Sequence, residues 1–387
     1  MPRQSRPGCG RYHPVVAAPP DRRRVVVLLD HDWVENQAFA RETIAALASE
    51  GFTIDLVARA TDSWTEIPGV RYLSRGSLRG LSTQALLARL ALDGFRTRDC
   101  AFVLATPPMS VVAGYALART CGAPLIVLHD ELWTSHNTRV AGAMYRAHER
   151  AALTIITDAR RVPVLVDDWP ALASQEFVEL PNCPAGVVDA RPRDEVRAEL
   201  GIPADAFTLL NAGSLTPAMG LHELLGALPR FPADAFLVCQ SGVVRGGLDP
   251  ALLELVEARY PVRFRLAPLP YDRVDDLVAA CDVGIALYPS DLLALRLCGK
   301  GSGKLSRYLR AGKPVIIDRN ANLDFVADYG AAEVVKDASG IPDAIRRIAG
   351  DYDRYAAAAT KCYEAELSFE THWPVVREAI GRARPRH

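Results

Sequence analysis

The chain has 387 residues, 49% of them hydrophobic and 24% charged, with a formal net charge of -1. That composition excludes a disordered, fibrous or collagen-like chain, and the near-neutral balance excludes a global attraction to nucleic acid or anionic lipid. The length exceeds one ordinary core and predicts two domains of about 150–200 residues each. Met1 to Arg23 is rich in Pro, Gly and Arg but has no apolar segment, so residues 1–23 are expected to form a flexible basic tail rather than a leader. Arg22, Arg23 and Arg24 are the one charge run suited to peripheral contact with a membrane face. The longest uncharged run, Ala101 to Ala118, holds Pro107-Pro108 in its middle and fits a strand, a turn and a helix better than a membrane span. The eight cysteines show no CxxC spacing and lie mostly in or beside apolar runs, which predicts reduced core residues of a cytoplasmic protein.

Apolar runs of strand length then alternate with helical patterns, the signature of parallel sheets with crossover helices. In the first half, strands are predicted at Val25–Asp30, Thr53–Ala58, Cys100–Ala105, Pro124–His129, Thr154–Thr157 and Phe177–Leu180. Helices are predicted at Asn36–Glu50, Ser110–Cys121 and Val140–Ala152. Pro181-Asn182-Cys183-Pro184-Ala185-Gly186 and the charged stretch after it read as a linker over 182–205. A second series follows, with strands at Phe207–Ala212, Ala235–Gln240, Val262–Leu266, Val283–Leu287 and Pro314–Ile317. Its helices are Leu221–Leu228, Ala251–Arg259, Tyr271–Ala280, a basic one opening at Ser302-Gly303-Lys304, and those at the C-terminus. The expected fold class is α/β, two doubly wound Rossmann-like domains (24–181 and 206–367) facing a cleft lined by strand C-termini, with 368–387 crossing back to the first.

Two loops have the chemistry of an anion site. Gly299-Lys300-Gly301-Ser302-Gly303-Lys304 lacks the leading glycine of a nucleotide-hydrolase phosphate loop, where Cys298 stands. It also lacks the magnesium-binding hydroxyl, where Leu305 stands. It keeps what any helix N-terminus offers an anion. Ser302 is placed to cap the helix, Lys304 lies in its first turn, and Arg307 shares a face with Lys304. Gly213-Ser214, directly after the strand ending at Ala212, is a second place where backbone N–H groups meet a phosphate, and equally an ordinary strand-to-helix turn. In the first half Asp30-His31-Asp32-Trp33 and His129-Asp130-Glu131 follow strands, where a doubly wound fold builds its site. His129 suits hydrogen bonding to a substrate hydroxyl or proton transfer, and equally a structural place. His129, Asp130, His136 and His148 are ligand types whose spacing matches no familiar zinc pattern, and no metal is expected.

Five segments, in order, resemble GT-B glycosyltransferases, particularly the retaining family 4 group, from about Val25 to Arg382. "LIVLHDELW" is similar to the group's "vvydaHElw", and "ERAALTIITDARR" with "VELPN" to its "E....r.adaiitvS...." and "vipN". "NAGSLTPAMGLHELLGALPRF" resembles "y.G.l...kGl..ll.al", "LVAACDVGIALYPS" resembles "llaaaDvgl.py.s", and "GKLSRYLRAGKPVII" resembles "nKLfEYlaaGkPVi".

The resemblance implies a cytoplasmic enzyme with an outlying expectation of contact at the inner membrane face. It would move a sugar, with retention, from a nucleotide-sugar donor to a glycan, lipid-linked or small-molecule acceptor, without a cofactor. The donor side would comprise Gly213, Ser214, Gly242, Leu269, Ser302, Gly303, Lys304 and Arg307. The acceptor side would comprise Asp30, Asp32, Asn36 and Glu131, with His129 near the sugar-facing histidine. The chain also departs from the pattern. The group's basic pair near Leu215 and Met219 is missing, Arg307 replaces a ribose-binding glutamate, and Gly299 replaces the first of the paired glutamates. Lys304 and Arg307 are expected to supply the lost positive charge. A GT-B-type nucleotide-sugar epimerase and a non-catalytic GT-B partner subunit are the alternatives.

Overall fold

Strands that are apolar along their whole length need cover on both faces, and here they form two all-parallel sheets with helices on either side. A computed structural model of the chain describes residues 23–29, 38–58, 67–72, 100–136, 139–213, 215, 219–240, 256, 258–260, 263–267, 269, 273–289 and 291–386. The first sheet has seven strands in the order β3-β2-β1-β4-β5-β6-β7, and the second has six in the order β10-β9-β8-β11-β12-β13. The first comprises β1 (Arg24–Leu28), β2 (Thr53–Val57), β3 (Val70–Tyr72), β4 (Cys100–Ala105), β5 (Leu125–His129), β6 (Leu153–Ile156) and β7 (Phe177–Glu179). The second comprises β8 (Phe207–Ala212), β9 (Ala235–Gln240), β10 (Phe264–Ala267), β11 (Val283–Ala286), β12 (Val315–Asp318) and β13 (Ala332–Val335).

Alternation along each strand divides the core. Val25 and Val27 of β1 pack on the face covered by α1 (Ala38–Ser49), through Phe39, Ile44 and Leu47. Val26 and Leu28 pack on the other face, with Val111, Leu117 and Cys121 of α2 (Met109–Cys121). A third helix, α3 (Ala141–His148), lies between β5 and β6 in the chain. The first apolar cluster continues through Leu180 and Cys183 to Leu305 and Tyr308, so one core joins the two halves.

The segment 182–205 is not all loop. Residues Arg193–Leu200 form α4, and Arg197, 1% exposed, fastens it to the second half. Its guanidinium pairs with Asp282 at 2.9 Å and donates to the carbonyls of Ala280, Ala204 and Ala206. The second sheet is covered by α5 (Leu221–Ala227), α6 (Val274–Ala280), α8 (Gly303–Arg310), α9 (Asp324–Asp328), α10 (Ile341–Gly350) and α11 (Tyr352–Glu366), while the short α7 (Leu293–Arg296) sets Ala294 against the cluster of Leu132, Met144 and Tyr145 in the first half. The last helix, α12 (Phe369–Arg382), returns to the first sheet. Trp373 donates to Glu50 at 2.9 Å, and Arg382 pairs with Glu176 at 2.8 Å. Strands β3 and β13 were not foreseen, being short. The described cysteines are all buried and unpaired by disulfides, and no described helix is long and apolar enough to cross a membrane.

One contact fixes the helix that carries the basic segment. Tyr308 of α8 lies flat on β11 at Gly284, where a Cβ would stand 2.1 Å from the ring. The Tyr308 hydroxyl donates to the Leu210 carbonyl at 3.0 Å and accepts from Ala212 N–H at 2.8 Å, so it pins the end of β8 as well. Neither the strand backbone nor the pinned ring has room to yield. Gly284→Ala is therefore expected to cost about 2–4 kcal/mol in urea unfolding, with part of it recovered when Tyr308→Leu is added.

Candidate anion-binding site at the second switch point

In the second sheet the strand order reverses between β8 and β11, and crevices at such switch points are where doubly wound sheets take ligands. The segments leaving β8 and β11 both border α8. Its first turn is set by Ser302, whose Oγ accepts from Leu305 N–H at 3.3 Å and is itself in contact with the Tyr288 hydroxyl. This leaves the N–H groups of a helix start at the crevice, where they favour an anion. Lys304, in that first turn, reaches back so that Nζ lies 3.5 Å from Asn211 Oδ1 at the end of β8 and 5.0 Å from the centre of the Tyr288 ring. Burial lowers its ammonium to about 8, against opposing pulls from Cys298, Asp318 and Cys239. Asp318, at the end of β12, has its carboxyl pushed up by burial, and its Oδ1 has no hydrogen-bond partner among the described residues.

Gly213 leaves β8 at φ 97°, a conformation that favours glycine, and a Cβ there would meet nothing within 4 Å among the described residues. Ser302, Gly303 and Lys304 thus lie at the start of α8, and Lys304 reaches the end of β8, where Asn211 stands two residues before Gly213. Leu269 lies farther along the sheet, where its carbonyl accepts from Gln240 at 3.1 Å. Glu131 follows β5 at the C-terminal edge of the first sheet. Asp30, Asp32, Asn36, Ser214 and Gly242 lie outside the described residues.

Two of the expected site residues are engaged within the fold. Arg307 is held by a carboxylate. Its Nη1 is tied to Asp275 of α6, whose other oxygen takes Arg310 at 2.5 Å, and it faces Glu42 of α1. The i, i+3 spacing placed the two cations on neighbouring turns, but Asp275 turned one of them aside. His129 is enclosed. It is 0% exposed, stacked on His148 with ring centres 5.7 Å apart, and neither of its ring nitrogens has a partner among the described residues. Burial, His148 and Arg161 together hold it neutral, well below the usual imidazole range. Residues that motif reading passed over are Asn211, Tyr288, Asp318 and the Asp158–Arg161 turn. Their only signal was position just after, or at the end of, a strand.

The turn after β6 and the loop before α8 press together from opposite halves. Asp158, 0% exposed, holds Arg160 at 2.9 Å and accepts from Lys300 N–H at 3.0 Å. Asn182 donates its backbone N–H to the Lys300 carbonyl at 2.9 Å and its side-chain amide to the Gly301 carbonyl at 3.1 Å. Lys300 Nζ pairs with Glu179 at 2.8 Å and Glu366 at 3.1 Å.

No protein-family model and no curated sequence matches the chain. Solved structures do. HepE of Anabaena, in complex with UDP and glucose, superposes with a TM-score of 0.73 at 16% identity, covering 92% of this chain and 99% of that one. Sucrose-phosphate synthase of Thermosynechococcus elongatus gives 0.68 at 17% identity, covering 92% and 98%. WaaG, a glycosyltransferase involved in lipopolysaccharide biosynthesis, gives 0.62 at 14%, covering 92% and 99%. The fold is GT-B, two Rossmann-like units with a parallel sheet each.

The buried histidines have a measurable consequence. His148 is held at about 3 by burial, and His129 is depressed as well. The unfolded chain, with imidazoles near 6.5, binds more protons between these values, so stability is present above pH 6.5 and lost as pH falls below it. Urea unfolding is expected to show a loss of up to about 1.4 kcal/mol per pH unit per histidine below pH 6.5, with a smaller slope in His148→Gln.

Proposed function

We propose that this protein is a nucleotide-sugar-dependent glycosyltransferase. It would transfer a hexose, with retention, to a glycan, lipid-linked or small-molecule acceptor in the cytoplasm. The observation that carries the reading is Lys304, a half-buried cation in the first turn of a capped helix at the switch point of the second sheet. A diphosphate leaving group gathers negative charge as the glycosidic bond breaks. A fixed ammonium and helix N–H groups in a water-poor crevice stabilise that charge most where it develops. Solved neighbours hold UDP, UDP-glucose or glucose, which favours a uridine nucleotide as donor. Ser214 and Gly242 would complete the donor side, and Asp30, Asp32, Asn36 and Glu131 the acceptor side.

A second reading is a non-catalytic nucleotide-sugar-binding subunit. It is favoured by one fact, the full burial of His129, whose ring nitrogens meet no polar group among the described residues. Release of UDP from UDP-glucose in the presence of candidate acceptors separates the two readings.

Thermal-shift screening against UDP-, GDP-, TDP- and ADP-sugars is expected to show stabilisation by at least one of them. Lys304→Ala is expected to weaken that nucleotide's binding about tenfold to hundredfold, the range for a charge-assisted hydrogen bond. An unchanged affinity would remove Lys304 from the site. Because the anion needs the protonated lysine, affinity in the native protein should fall as pH rises through about 8, and calorimetry above that pH should show proton uptake on binding.

A further inference from the structure

Arg161 closes the short 3-10 turn Ala159–Arg161 after β6 and is 3% exposed. Nη1 donates to the Asp130 carbonyl at 2.5 Å and to Thr157 Oγ1 at 2.8 Å, while Nε donates across the cleft to the Leu297 carbonyl at 2.9 Å. All three acceptors are neutral. Among the described residues no carboxylate pairs with Arg161, the adjacent Asp158 being held by Arg160 and the Lys300 backbone. A buried guanidinium without a counter-charge is costly unless something else supplies one.

Its remaining nitrogen shows where that charge would come from. Nη2 makes no hydrogen bond among the described residues and, unlike the ring nitrogens of His129, it is not sealed from solvent. It lies 2.5 Å from where a Cβ on Gly301 would stand, so the glycine is what keeps it uncovered. Lys304 follows Gly301 by three residues, in the first turn of α8, with Nζ toward Asn211 and Tyr288. The Cys298 thiol feels both cations, which oppose the upward push of its burial.

We propose that Arg161 and Lys304 form a phosphate-binding pair that spans the cleft, with Arg161 aimed by its three oxygen acceptors and Gly301 leaving room for the phosphate. This replaces the pairing of Lys304 with Arg307 and rests on the reading of Lys304 as the donor's anion site. The phosphate belongs either to the donor's diphosphate or to a phosphorylated acceptor, and the two sources are separable.

Calorimetry on the full chain with inorganic pyrophosphate, UDP and glucose 6-phosphate tests the pair. Arg161→Gln is expected to weaken pyrophosphate about tenfold. A matching loss on UDP assigns the donor's diphosphate, and a loss on glucose 6-phosphate without one on UDP assigns the acceptor's phosphate. Gly301→Ala keeps the arginine but covers Nη2. It should cause a similar loss that does not add to that of Arg161→Gln in the double variant. Unchanged binding of all three probes in both single variants, or fully additive losses, would overturn the proposal. If Lys304→Ala still weakens UDP in that case, the donor-site reading stands alone; if it does not, both fall.

Discussion

The loop Leu297–Gly303 is gripped from both halves of the molecule, and the placing of the anion crevice depends on that grip. Arg161 holds its start at the Leu297 carbonyl, Asp158 holds Lys300 N–H, and Asn182 takes the carbonyl of Gly301. A loop so fixed delivers Ser302 to its capping position, and the cap sets the first turn of α8. Tyr308 then lays the same helix on β11 and pins the end of β8. Lys304 reaches the switch point because both ends of this chain of contacts are fixed. Cβ atoms at positions 299 and 301 would stand 2.3 Å from Asp158 Oδ2 and 2.5 Å from Arg161 Nη2. The glycines that look like a phosphate loop in the sequence therefore also make a seam between domains.

The electrostatics of the crevice favour an anion over an empty state. A lysine held near 8 and an arginine bonded only to neutral oxygens bring positive charge into a poorly hydrated place. The carboxyl that acts on Lys304, Asp318, is itself pushed toward its neutral form. Charges left so poorly compensated are a standing cost that a bound phosphate would offset. The pair Arg307 and Arg310 shows the contrast, because both share the carboxylate of Asp275 and face Glu42 within the fold.

Much of the fold was legible because it rests on local signals. Continuous apolar runs such as Val25–Val27 and Val283–Leu287 bounded by polar turns can only be buried parallel strands in a chain of this alternation. Strands β3 and β13 escaped because three or four residues, broken by Arg71 and Glu333, carry no period to read. The helix start at Ser302 was legible for the same local reason, since capping is set by a few neighbouring residues. The partner of Arg307 was not, because Asp275 meets it only after α6 and α8 have packed. The place of His129 was also hidden. Every residue of β5 is buried, so alternation along Leu125–His129 cannot say which side opens on the cleft. Arg161 was unreadable in a third way, since nothing in the run Asp158-Ala159-Arg160-Arg161 tells which arginine turns inward.

The central claim is that the crevice between β8 and β11 holds a substrate's diphosphate against Lys304. Its most direct test is the crystal structure of the full chain with bound UDP. The account predicts the β-phosphate within hydrogen-bond distance of Lys304 Nζ, facing the start of α8 and the Gly213 turn. A diphosphate seated elsewhere, with Lys304 still turned to Asn211 and Tyr288, would contradict it.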